Sequence, residues 1–171
     1  SNMMGEVIGE KGISERQIEG IKAVVHEIDK RIKAKAIHEL AFIELLEQDT
    51  SEIKKIASDV REKFENFLIL GIGGSALGPR AILEALSPFH NLDKKPKVFV
   101  YDNVDPRTLQ RILSLAGLKK TAVNVITKSG STAETIASFM ILWDKMNSAV
   151  SDSSKNFIAT TDPEKGSLRK I

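Results

Sequence analysis

The chain has no cysteine, which rules out disulfide bridges and thiolate chemistry while leaving its compartment open. It also lacks a charge excess: 25 Lys and Arg stand against 23 Asp and Glu, a formal net charge of +2. No field strong enough to attract nucleic acid or an anionic membrane follows from that balance. No apolar run approaches the length of a membrane span. No cationic segment followed by an apolar one opens the sequence, so nothing marks it for export, and the expectation is a cytoplasmic protein. Ser1-Asn2 ahead of Met3 reads as a remnant of tag removal and is set aside. What remains is 171 residues, 42% hydrophobic and 28% charged, enough for one substantial core and, by default, one domain.

One stretch organises the rest. Phe67-Leu-Ile-Leu-Gly-Ile-Gly-Gly-Ser-Ala-Leu-Gly-Pro79 is a short apolar run that ends in glycines and a serine and then opens a helix. The apolar residues do not alternate, which predicts a strand buried on both faces, as in a parallel sheet. Gly71, Gly73 and Gly74 free the backbone for positive φ and let a ligand approach main-chain N–H groups. Pro79 is expected in the first turn of the next helix, where its missing N–H costs nothing. A helix N-terminus then faces the loop, and the expected ligand is an anion.

Before this stretch the pattern is helical. Ser14 to Gln17 has the form of a capping box followed by Ile18, Ile21, Val25, Ile28 and Ile32 at helical spacing. A second helical segment is expected over 36–46, with His38 on it. A third, behind an Asp49–Glu52 capping box, carries Ile53, Ile56, Ala57, Val60 and Phe64. This layer, residues 3–50 in particular, is expected to pack on the domain and cover its sheet. After residue 67 strand and helix alternate. Strands are expected over 67–71, 97–101, 122–126 and 156–160. Helices are expected over 79–86, over 107–115 with Asp105 as N-cap, after 132 with a Ser131/Glu134 capping box, and from Pro163 onward. The helix after 132 is expected to bury Ile136, Phe139, Met140, Trp143 and Met146. Repeated βα units with right-handed crossovers define an α/β fold, a doubly wound parallel sheet over 51–171.

Two loops at the carboxyl ends of strands carry the chemistry. In strand order 2-1-3-4 the glycine loop and Thr127-Lys-Ser-Gly-Ser-Thr132 meet at the switch point, where such sheets bind ligands. The second loop offers the hydroxyls of Thr127, Ser129, Ser131 and Thr132, the Lys128 ammonium and a helix N-terminus, a set suited to a phosphate monoester. The competing reading is dinucleotide binding, since Gly71-x-Gly73-x-x-Ala76 fits a permissive fingerprint and Asp102 ends the second strand. That reading leaves the hydroxyl-rich loop unexplained. His26, His38 and His90 read as surface or packing histidines, and Arg80 and Arg107 as solvated or structural.

Taken together, Gly71-Ile-Gly-Gly-Ser75 with Leu77-Gly-Pro79, Asp102-Asn-Val-Asp105, Lys128-Ser-Gly-Ser-Thr-Ala-Glu-Thr135 and Thr161-Asp-Pro-Glu-Lys-Gly-Ser-Leu-Arg169 resemble, in sequence and order, the glucose-6-phosphate isomerase family of bacterial type. The resemblance runs from about Ile53 to the end and covers that family's amino-terminal sugar-isomerase (SIS) domain. It implies a flavodoxin-like αβα sandwich with an N-terminal helical layer. It further implies that Thr127, Lys128, Ser129 and Thr132 hold a sugar 6-phosphate and that Gly74 and Ser75 line the sugar. The family's reaction needs no metal or cofactor; it opens the sugar ring and moves a proton between C1 and C2 through an enediol. Its glutamate base, arginine, lysine and histidine lie later in the chain, so no catalytic residue is expected here and the second SIS domain is absent. The complete enzyme is expected to be a homodimer. A stand-alone SIS sensor of sugar phosphates, without catalysis, is the alternative.

Overall fold

The computed structural model describes residues 5–34, 42 and 45–170, in two compact units divided after Thr50. In the first unit the expected long helix is α1, Glu15–Lys33. Ser14 caps it: its hydroxyl accepts from the Gln17 amide, and the Gln17 side chain takes the Ser14 amide in return. The Ile18, Ile21, Val25 and Ile28 stripe is exposed. The segment expected over 36–46 lies almost wholly outside the described residues, His38 included.

The second unit opens with α2, Ser51–Lys63, and continues through β1 (Asn66–Leu70), α3 (Gly74–Leu86), β2 (Lys97–Tyr101), α4 (Pro106–Ala116), β3 (Thr121–Ile126), α5 (Ala133–Ala149) and β4 (Phe157–Thr160). The four strands are parallel, in order β2-β1-β3-β4. Chain reversal therefore falls between β1 and β3, with Leu70 level with Val125. One face of the sheet, through Leu68, Leu70, Tyr101, Val123 and Val125, packs on Leu109 and Ile112 of α4 and on Phe139, Leu142 and Met146 of α5. Phe157 joins this side edge-on to Phe139, ring centres 5.4 Å apart. Helix α3 contributes nothing to that cluster. It lies instead beside Val98 and Val100, which alternation places on the opposite face from Tyr101. The helices that follow β1 and β3 thus leave on opposite sides, as a switch point requires.

Several sequence expectations are corrected. Pro79 does not open its helix: α3 begins at Gly74, because Gly73 turns the chain at φ +57° and its carbonyl accepts the Ala76 and Leu77 amides. Pro79 falls in the second turn, and the Ser75 carbonyl loses the donor that a residue with an N–H would have given it. The Ser131/Glu134 capping box does not form. Thr132 occupies the N-cap position of α5, and no side chain caps this helix. The buried face of α5 is rotated from the expected one, with Met140 exposed and Thr135, Ser138 and Leu142 buried. No α-helix starts at Pro163 among the described residues; Asp162 takes the Glu164 and Lys165 amides into a turn, Gly166 reverses the chain at φ +99°, and a 3₁₀ turn follows at Leu168–Lys170. By contrast Asp105 caps α4 as expected, accepting from the Arg107 and Thr108 amides ahead of Pro106.

Candidate ligand site at the switch point

The glycine loop is shaped by one contact that tolerates no side chain. A Cβ on Gly71 would lie 2.8 Å from Ser75 Cβ and 3.0 Å from the Ser75 carbonyl oxygen. With Gly71 bare, its amide reaches the Tyr101 carbonyl at 3.3 Å and the chain folds back so that Ser75 N–H meets the Ile72 carbonyl at 3.2 Å. Among the described residues the Gly73 and Gly74 amides have no backbone acceptor. They lie exposed at the start of α3, and Ser75 is half-buried behind them. These are the donors an anion meets at a helix N-terminus.

Asp102, the acid that a dinucleotide reading needs for a ribose, is held by Arg80 of α3, Nη2 to Oδ2 2.9 Å. The Tyr101 phenol tightens the same corner: its Oη accepts the Asp105 amide at 2.9 Å and donates to the Asp105 carbonyl at 3.1 Å.

The hydroxyl loop leaves β3 next door. Its Thr127 is buried, with the amide donating to the Thr160 carbonyl at 3.0 Å and Oγ1 sharing a 2.9 Å hydrogen bond with Thr132 Oγ1. Ser129 Oγ accepts from both the amide (3.2 Å) and the hydroxyl (3.0 Å) of Ser131. Gly130, at φ +66°, closes the turn with its amide on the Thr127 carbonyl at 3.2 Å. The Ala133, Glu134 and Thr135 amides at the start of α5 have no backbone acceptor among the described residues, the first helical bond being Ile136 N–H to Thr132. Lys128 and Ser129 are exposed and Thr132 half-buried. Glu134 is exposed, the second residue of the helix, and has no capping role.

A third segment, expected from the sequence as the start of a helix, instead holds this loop from outside. Gly166 lies directly against it: a Cβ there would come 2.4 Å from the Ser129 carbonyl oxygen and 3.0 Å from Gly130 Cα. Asp162 N–H donates to the Lys128 carbonyl and Leu168 N–H to the Gly130 carbonyl, both at 3.3 Å, while the Leu168 side chain enters the core. The only signal was a pair of glycines, Gly130 and Gly166, 36 residues apart in the chain; no local pattern says that they touch. Backbone hydrogen bonds from Glu164 and Lys165 hold the Asp162 carboxyl below the usual carboxylate range, with smaller help from the Lys165 and Lys128 charges. His90, away from both loops, is tied through Nε2 to the Pro96 carbonyl at 2.8 Å.

Six residues singled out from the sequence therefore fall on two loops. Thr127, Lys128, Ser129 and Thr132 share one turn, and Gly74 and Ser75 begin the helix after the neighbouring strand. Parallel neighbours run about 4.8 Å apart, so the loops emerge side by side. Fold and loops together define a doubly wound α/β domain whose glycine and hydroxyl turns leave neighbouring strands at the switch point.

Within that class the comparisons with known proteins are specific. The profile of the family described as phosphoglucose isomerase matches residues 24–168, and the chain belongs to that family. It is 39% identical, over its whole length, to the glucose-6-phosphate isomerase of Carboxydothermus hydrogenoformans, and covers 39% of that protein. It is 46% identical to the enzyme of the same name from Rubrobacter xylanophilus, over 62% of this chain and 26% of the relative. Among solved structures, a hypothetical protein from Thermus thermophilus superposes with a TM-score of 0.73 at 30% identity, covering 91% of this chain and 37% of that one. A glucose-6-phosphate isomerase from Chlamydia trachomatis gives 0.59 at 30% identity, over 65% and 21%. The chain thus spans about two fifths of the length of the first of these relatives.

Proposed function

We propose that this chain is the amino-terminal part of a glucose-6-phosphate isomerase and supplies its phosphate-binding loops. The supporting observation is the hydroxyl loop: four hydroxyls within one turn, ahead of a helix whose first three amides have no backbone acceptor, beside a second helix N-terminus built on glycine. In this reading Thr127, Ser129 and Thr132 donate to the 6-phosphate along with the α5 amides, and Lys128 adds a positive charge. Gly74 and Ser75 line the sugar. Residues 51–171 form the SIS sugar-phosphate domain, residues 3–50 its helical layer, and the complete protein works as a cytoplasmic homodimer.

None of these groups transfers the proton that aldose–ketose interconversion requires. Equal binding of substrate and transition state does not accelerate that transfer. The carboxylates by the loops are otherwise placed, Asp102 on Arg80, Asp162 on the Glu164 and Lys165 amides, and Glu134 in solvent. Losing positioned acid and base groups, each worth about 100-fold to 10,000-fold, leaves this chain with binding and no turnover. Two measurements test the reading. Titration with glucose 6-phosphate gives saturable binding that Ser129→Ala/Thr132→Ala weakens by about 1.5–3 kcal/mol; micromolar NAD binding instead would overturn it. Fructose 6-phosphate coupled to a glucose 6-phosphate dehydrogenase gives no signal with the purified chain.

A further inference from the structure

Two buried side-chain polar atoms among the described residues make no hydrogen bond, Thr135 Oγ1 and Thr161 Oγ1, and both adjoin the hydroxyl loop. Thr161 sits between Thr160, whose carbonyl takes the Thr127 amide, and Asp162, whose amide meets the Lys128 carbonyl. Thr135 is the third residue of α5 and is 2% exposed. An unpaired buried hydroxyl costs stability, and native proteins leave few of them. Here both fall at one place, the expected location of costs retained for function.

Helix geometry says what Thr135 stands against. In a capping box the N-cap side chain reaches the backbone N–H of the third helical residue and that residue's side chain reaches back to the N-cap N–H, which sets the two side chains on one face of the first turn. In α5 that pair is Thr132 and Thr135. Thr132 Oγ1 is bonded instead to Thr127 Oγ1, 2.9 Å off, so it caps no amide of the helix, and Thr135 Oγ1 reaches none either. A proton count follows. Each hydroxyl carries one proton and two acceptor lone pairs. One of the two protons on Thr127 and Thr132 is spent inside their mutual bond, which leaves one for a ligand. An anion accepts from donors only. When both threonines direct their protons at it, the mutual bond is lost and Thr132 Oγ1 keeps acceptor capacity with nothing to fill it. Thr135 has the proton to give.

We propose that Thr135 is a positioning residue for the bound phosphate. Its hydroxyl donates to Thr132 Oγ1 in the liganded state and aims the Thr132 proton at the anion, so that the orphan of the free chain is paired when ligand is bound. The inference rests on the sugar-phosphate reading of the loop. Thr161 stands in no helical register with Thr132 and is not part of it.

The test compares the wild-type chain, Thr135→Val and Thr135→Ser by thermal melting without ligand and by titration with glucose 6-phosphate. Valine removes the orphan hydroxyl at nearly constant shape, so the ligand-free Tm stays level or rises while affinity falls about tenfold. Serine restores affinity to near the wild-type value. A merely structural threonine gives a different pattern: affinity unchanged in Thr135→Val whatever its Tm, or affinity lost in both variants. Either result overturns the proposal, and a drop in Tm with Thr135→Val leaves serine rescue as the deciding measurement. If wild type itself fails to bind glucose 6-phosphate, the loop reading falls and takes this inference with it. Wild-type binding with equal binding by Thr135→Val removes this inference alone.

Discussion

The glycine loop after β1 and the hydroxyl loop after β3 stand side by side, yet they are held in opposite ways. The first is shaped from within: Gly71 gives way to Ser75 four residues on, Gly73 turns the chain, and Gly73 and Gly74 leave their amides open. The second is shaped from outside, by Asp162, Gly166 and Leu168, a segment more than 30 residues later that reaches back across its carbonyls. A loop of the first kind carries its conformation in its own sequence and presents backbone donors. A loop of the second kind has its backbone fixed by a distant segment, which leaves its own side chains free of that task.

The difference predicts unequal damage. Gly166→Ala is expected to do the most: the residue keeps φ +99° and its new Cβ meets backbone at 2.4 Å, a strain and overlap together costing about 2–5 kcal/mol. Its signature is lost sugar-phosphate binding with a lowered Tm, although residue 166 has no side chain to offer a ligand. Gly71→Ala is expected to cost less, about 1–3 kcal/mol, because the atom it meets first is the Ser75 side chain at 2.8 Å and α3 can shift. Amide exchange across the two variants reads the contrast: Gly71→Ala loosens residues 71–77 and leaves 127–132 protected, and Gly166→Ala does the reverse. Equal loosening of both loops in either variant would break the comparison.

The smallest effect is one of pH. Backbone hydrogen bonds from Glu164 and Lys165 lower the pKa of Asp162 in the folded chain. A carboxyl whose folded pKa lies below its unfolded one adds stability that is fully present above the unfolded value, about 3.9, and is lost as pH falls through the folded value. Asp162→Ala is therefore less stable than wild type at pH 6, and the Tm difference narrows below about pH 4. A gap that stays constant down to pH 2.5 would mean that the Asp162 charge plays no part in holding the outer segment.

The sequence showed more of the backbone than of the clamp. Apolar runs without alternation located all four strands to within a residue. The Ser14/Gln17 box and the Asp105-Pro106 pair fixed two helix starts, because cap chemistry is local. Pro79 misled because proline usually marks a first turn, whereas the positive φ of Gly73 had already started the helix six residues earlier. The Ser131/Glu134 box misled because Ser131 spends its hydroxyl on Ser129 and Thr132 becomes the N-cap. The pairing of Gly130 with Gly166 had no local signal, since it depends on β4 bringing two distant turns together.

The most direct measurement of the central claim is a crystal of the chain soaked with glucose 6-phosphate. The phosphate is predicted in the 127–132 turn, its oxygens within hydrogen-bond reach of the Ser129 and Thr132 hydroxyls and the first amides of α5, with the sugar directed toward Gly74 and Ser75. Phosphate bound elsewhere, with that turn empty, would contradict it.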